Sequence, residues 1–169
     1  MIRSKLPIIL VFIMLITLIV TGCGGSQSCP RIGDQSPNFA LPSIDGKNVS
    51  LSDFKGKIVI INTWSTKCVE CKKEMPYIQE IYNEYSKQGL VVLGINTLDS
   101  AKAAKEFVTT NGYTFPVLLD PQWEIYKKFC CPKTGDPNTF FINAEGVLKN
   151  VKFGSFQSKE EIESILKSL

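Results

Sequence analysis

Two cysteines separated by two residues, Cys68-Val69-Glu70-Cys71, stand where an apolar run from Lys57 to Trp64 gives way to a helical pattern from Lys72 to Tyr85. Sulfurs at that spacing reach one another, so the pair can cycle between dithiol and disulfide. The attacking species in such exchange is a thiolate, and forming it requires the cysteine pKa to be brought toward ambient pH. Cys68 is placed for this. The unpaired N–H groups and dipole of a helix N-terminus favour negative charge, and Lys67 adds a cation beside it. Cys71, one turn further in, is expected to be shielded and to serve as the resolving thiol. Glu70 works in the opposite sense, because a neighbouring carboxylate disfavours a second anion. A moderately lowered Cys68 pKa and a fairly reducing couple follow. Half of a zinc site, or a permanent staple, is the structural alternative. Zinc needs about four N or S ligands, and this chain has no histidine, leaving only Cys29, Cys130 and Cys131 as further donors. No metal and no cofactor is expected.

The elements that must position this pair are legible in the hydrophobic pattern. Ile58 to Ile61 is a β-branched run of the kind found in a strand buried on both faces. Met75, Ile78, Tyr82 and Tyr85 recur at helical spacing and mark the inward stripe of the next helix. Leu90 to Ile95 predicts a second strand, and Ser100 caps a helix to Thr110 that Asn111-Gly112 stops. Pro116 to Leu119 predicts a third strand, and Asp120-Pro121 opens a short helix through Phe129. Thr139 to Ile142 and Val147 to Phe153 pair across a turn, and Ser158 starts a terminal helix with Ile162, Ile165 and Leu166 inward. A short hairpin, Phe39 to Leu51 around Asp45-Gly46, and a single helical turn, Ser50 to Phe54, precede the main sheet. The result is an α/β chain with a mixed central sheet flanked by helices and an N-terminal β-hairpin.

The first residues carry Arg3 and Lys5 before an apolar stretch, Leu6 to Val20, that is short for a membrane span and reads as an export signal. It ends in Val20-Thr21-Gly22-Cys23, which resembles a bacterial lipobox with Cys23 as the acylated residue. Residues 1–22 are thus expected to be a lipoprotein signal peptide, 23–36 a flexible tether rich in Gly, Ser, Gln and Pro, and 37–169 one domain anchored outside the cytoplasmic membrane by lipid. Removing Arg3 and Lys5 takes the formal charge from +3 to +1. Nothing in that balance points to nucleic acid. A domain of this length folds on its own core, so the six cysteines are not read as the framework of a stapled mini-protein.

Several segments together resemble the thioredoxin-like, membrane-tethered thiol-disulfide oxidoreductases of the TlpA/ResA type. Gly33-Asp34-Gln35-Ser36-Pro37-Asn38-Phe39 and Leu51-Ser52-Asp53-Phe54-Lys55-Gly56-Lys57 look like the opening of that family, which peroxiredoxins share. Trp64, Cys68, Cys71, Glu74 and Pro76 follow its Trp...Cys-x-x-Cys-x-x-Glu-x-Pro pattern. The resemblance implies a thioredoxin-like fold and reduction of disulfides in exported proteins, with electrons from a membrane thiol carrier and apocytochrome c as one substrate. It implies that Pro137, in Asp136-Pro137-Asn138-Thr139, is a cis-proline facing the disulfide, where backbone groups meet an extended partner. It also implies that Glu74 assists proton transfer near the cysteines, and that Trp64, Lys67 and Asp136 lie on the substrate side. The plainer reading of Glu74 is a solvated helical acid.

Three departures from the family stand out. Lys67 and Glu70 occupy places where it usually has Trp and Pro, and an insertion between Tyr126 and Pro137 carries Cys130-Cys131-Pro132. Those adjacent cysteines lead into the proline loop and suggest a second redox pair exchanging with the first. A bond from Cys29 and a vicinal disulfide are the structural alternatives. Two competing functions remain. A thiol peroxidase of peroxiredoxin type needs Pro-x-x-x-Thr-x-x-Cys, whereas Ile61 and Ser65 hold those positions here. A copper-delivery module with two cysteines and a histidine is unavailable without histidine, which leaves an all-thiolate Cu(I) carrier.

Overall fold

The computed structural model of the protein describes residues 29–132 and 135–169. The export signal, the lipobox and Cys23 lie outside the described residues. Strand β3 (Val59–Trp64) is buried at every position, and it is the middle of a five-stranded sheet of order β5-β4-β3-β6-β7. It pairs in parallel with β4 (Val91–Asn96) on one side and antiparallel with β6 (Asn138–Ile142) on the other. β5 (Val117–Leu119) extends the parallel side, and β7 (Leu148–Phe153) closes the antiparallel side.

Because successive side chains of a strand point to opposite faces, β3 feeds two separate cores. Ile60 and Trp64 face a layer with Met75, Ile78, Ile81, Val108, Phe141, Phe156 and Ile162. That layer is built by α1 (Val69–Tyr85), α2 (Ala101–Thr110) and α4 (Lys159–Leu166). Val59 and Ile61 face the other layer, where α3 (Glu124–Phe129) brings Ile125 and Phe129, and the hairpin of β1 (Ala40–Pro42) and β2 (Asn48–Ser50) brings Leu41. A sheet covered on both faces explains why its middle strand carries no polar residue before Asn62.

The helix starts follow the expected chemistry. Ser100 and Ser158 accept hydrogen bonds from the backbone N–H of Ala103 and Glu161. The buried carboxylate of Asp120 accepts from the N–H of Glu124 and Ile125 at 2.7 and 2.9 Å, opening α3. The single turn Leu51–Phe54 is a 3₁₀ helix. Helix α1 begins at Val69, three residues before the periodic pattern, because Cys68 itself is the capping residue.

The spacer departs from expectation over its second half. Gly33 N–H donates to Leu148, Leu148 N–H to Asp34 and Ser36 N–H to Gly146, which lays residues 33–36 along the entrance of β7. Cys29 is joined to Cys130 by a disulfide. Low apolar content signalled looseness, but main-chain hydrogen bonds and a covalent cross-link hold this stretch without needing apolar side chains.

Gly94, on β4, is a place where buried rings close on the backbone. A Cβ there would lie 2.7 Å from Phe115 Cε2 and 3.1 Å from Trp64 Nε1, both on buried rings. Gly94→Ala must push these rings aside and is expected to lower stability by about 1–3 kcal/mol, as overpacking does. Urea unfolding measures it, and an unchanged midpoint would show that the rings yield freely.

Candidate active site

The carboxyl end of β3 delivers the chain directly to the cysteines. Ser65 and Thr66 turn it, with Cys68 N–H donating to Ser65 O, and the turn is fixed by Asp99, which accepts from Thr66 N–H at 2.7 Å and from Thr66 Oγ1 at 2.5 Å. Burial works against an anionic Asp99. The bonds from Thr66 and Asn96 and the charge of Lys67 nevertheless hold it below the usual carboxylate range. Cys68 then caps α1, its sulfur accepting from Cys71 N–H at 3.0 Å. A sulfur at this place feels the open N–H groups and positive end of the helix.

Cys68 and Cys71 form a disulfide, with Cα atoms 5.3 Å apart. Cys68 is half-buried and Cys71 is fully buried, 4.0 Å from Thr63 O, so an incoming group meets Cys68 first. The peptide bond before Pro137 is cis, and the carbonyl oxygen of Asp136 lies 3.5 Å from Cys68 Sγ. Asn138 N–H donates to Thr63 Oγ1 at 2.9 Å and ties this loop to β3. A shallow cleft of about 310 Å³ opens over Cys68 between Lys67, Val69, Leu98, Trp123 and Asp136. A larger cavity of about 410 Å³ lies at the opposite end of β3, between Ile58, Tyr85, Leu90 and Leu166, away from both reactive sulfurs.

The residues expected around the site fall into place unequally. Lys67 is exposed on the cleft. Trp64 is not on the substrate side: it is fully buried, its ring 5.4 Å from that of Phe107, because residue 64 still belongs to the doubly covered strand. Glu70 is paired with Lys73 at 2.6 Å and accepts from Ser155, and these bonds hold it below the usual carboxylate range. Its charge is therefore partly answered before it reaches Cys68. Cys130 and Cys131 do not pair with each other. Cys130 is bonded to Cys29, while Cys131 is a half-buried thiol pushed up to about 12 by burial and by the charge of Asp136. A thiol that holds its proton so tightly is a poor nucleophile.

Glu74 is no solvated acid. It is fully buried one turn beyond Cys71, accepting from Asn62 Nδ2 at 2.7 Å and from Phe156 N–H at 2.9 Å. Burial raises its carboxyl to about 7, against the lowering effect of those two bonds. Asn62, whose other amide hydrogen goes to Thr139 Oγ1, belongs to no motif in the sequence. An asparagine inside an apolar strand was the available signal. The exposed Val69 and Leu98, 64% and 57% accessible beside the cleft, are visible only once the fold brings the start of α1 and the loop after β4 together.

A thioredoxin-like sheet that presents a Cys-x-x-Cys disulfide at a helix N-terminus, opposite a cis-proline loop, defines a thiol-disulfide oxidoreductase. Comparisons with known proteins agree. The AhpC/TSA family model matches residues 32–151. The chain belongs to the AhpC/TSA family, and it is similar to proteins named thiol-disulfide oxidoreductase ResA. It is 34% identical to ResA of Bacillus cereus (strain ATCC 10987 / NRS 248) over 170 residues, covering 95% of this chain and 96% of that protein. It is also 34% identical to ResA of Bacillus subtilis (strain 168), covering 91% and 84%. Among solved structures, a DsbF homologue from Corynebacterium diphtheriae superposes with a TM-score of 0.74 at 28% identity, over 87% of this chain and 96% of that one. A thiol:disulfide interchange protein of the thioredoxin family from Chlorobium tepidum TLS gives 0.72 at 28%, over 83% and 98%.

Glu74 makes stability depend on pH. Its folded value, about 7, lies above its ordinary value of 4.5, so the folded state keeps a proton that the unfolded chain has lost between those limits. The contribution is fully present below pH 4.5 and is lost as pH rises through 7, a change of about 3 kcal/mol. Glu74→Gln does not titrate, so the stability difference between the two proteins should change by about that amount between pH 4 and pH 8 in urea unfolding. A flat difference would place the carboxyl at its ordinary value.

Proposed function

We propose that this protein reduces disulfide bonds in exported proteins while held at the outer face of a bacterial membrane by a lipid on Cys23. The observation that carries this reading is the asymmetry of the pair: Cys68 opens onto the cleft and Cys71 is sealed beneath it. In the reduced enzyme the Cys68 thiolate attacks one sulfur of a substrate disulfide, forming a mixed disulfide and releasing the other sulfur as a thiolate. Cys71 then attacks Cys68 Sγ, and the second substrate sulfur leaves. Two electrons have passed to the substrate, and the enzyme holds the Cys68–Cys71 disulfide seen here. A membrane thiol carrier returns two electrons to it.

Cys71 must lose its proton to attack, and Glu74 is the nearby acceptor on the same helix. A carboxyl of about 7 is balanced for both taking and giving that proton near neutrality. The cis-proline loop supplies backbone groups against which an extended peptide lies beside Cys68. Likeness to ResA proteins supports reduction as the direction of electron flow, and the cysteines of apocytochrome c haem sites are the substrate we put forward. Among the described residues no helix is long and apolar enough to cross a membrane.

The test has two arms. Reduced protein should cleave insulin disulfides and leave peroxide unconsumed, and Cys68→Ser should abolish the activity. Cys71→Ser should accumulate a mixed disulfide on Cys68, and partner proteins recovered from it by mass spectrometry name the substrate. Rapid peroxide turnover with no insulin reduction would instead make this a thiol peroxidase.

A further inference from the structure

The loop facing Cys68 is gripped by two hydroxyls that lie outside the cysteine motif. Tyr126, on α3, donates to Asp136 Oδ1 at 2.6 Å, and Thr97, just after β4, donates to Asp136 Oδ2 at 2.7 Å. Asn138 Nδ2 in turn donates to Tyr126 Oη at 3.0 Å and to Gly135 O at 3.1 Å. Both carboxylate oxygens of Asp136 are thus engaged from two separate elements, and the same residue's main-chain oxygen lies 3.5 Å from Cys68 Sγ. Charge-assisted O–H···O⁻ bonds are among the stronger hydrogen bonds in a protein, so this clamp leaves the carbonyl little freedom.

The consequence depends on the state of the sulfur. In the reduced enzyme a Cys68 thiol can donate to the Asp136 carbonyl, whereas a thiolate faces its lone pairs. A hydrogen bond made only by the neutral form favours that form. We propose that Tyr126 and Thr97 are positioning residues for the exchange reaction: by clamping the Asp136 side chain they hold its main-chain oxygen against Cys68, which opposes ionisation of that sulfur and so favours the pair as a reductant. The proposal rests on the reductase reading above.

The test is the pH dependence of Cys68 alkylation by iodoacetamide in the reduced protein, together with its equilibrium against glutathione. Tyr126→Phe and Thr97→Val each remove one hydroxyl with little change of shape. Each should lower the alkylation midpoint by about half a pH unit or more and make the disulfide about threefold easier to reduce. Asp136→Asn should shift both readouts further, and adding Tyr126→Phe to it should produce no additional shift, since residues of one network are not additive. Lys67 and Glu70 line the same cleft, Lys73 pairs with Glu70, Asp99 holds the Thr66 turn and Cys131 feels the charge of Asp136, and all of these are unchanged in these variants. Folded Tyr126→Phe and Thr97→Val proteins with the parent midpoint and equilibrium would overturn the proposal. Should one variant not fold, the other decides. Insulin reduction by the parent is read separately, so absent turnover refutes the reductase reading, whereas turnover with unshifted midpoints refutes only the clamp.

Discussion

Burial of β3 on both faces is the constraint on which the site depends. All six of its residues are sealed, two hydrophobic layers grip it from opposite sides, and hydrogen bonds hold it between β4 and β6. A strand held in this way has a fixed end. The turn through Ser65 and Thr66 inherits that position, Asp99 locks it from a neighbouring loop, and Cys68 is left half-buried on the cleft that opens there. Reactivity here comes from rigidity behind the sulfur rather than from any unusual residue at it.

The same packing has an electrostatic cost that the protein retains. Glu74 lies in the layer between α1 and the sheet, where burial penalises its charged form. Its two hydrogen-bond partners, Asn62 from β3 and the backbone of Phe156, both donate, an arrangement suited to the anion. Burial opposes them and prefers the acid. Burial outweighs the two bonds and carries the carboxyl up to about 7, where it can both take and give a proton near neutrality.

The fold was legible almost throughout because its signals are local. Ser100 and Ser158 announced their helices, β-branched runs announced the buried strands, and the Asp45-Gly46 turn announced the hairpin. The cysteine motif and Pro137 were legible for the same reason. What escaped was set by contacts distant in sequence. Trp64 reads as a substrate contact from its place in the motif, yet its exposure depends on Phe107 and Phe115, more than forty residues away. Tyr126 and Thr97 carry no mark of their meeting at Asp136. Residues 33–36 look loose because main-chain pairing leaves no trace in side-chain composition.

With the bond between Cys29 and Cys130, the described residues hold two disulfides with opposite duties. One is made to be opened and closed at every turnover, and the other ties the amino-terminal segment to the end of α3. Both cysteines of the second are exposed, so a small thiol in solution can reach it as well as the half-buried Cys68. An electron donor serving this protein would have to tell the bonds apart by fitting the surface around the active one, not by reducing strength alone. Recharging this protein is in that sense a recognition problem, and a donor lacking the matching shape would loosen its architecture along with its chemistry.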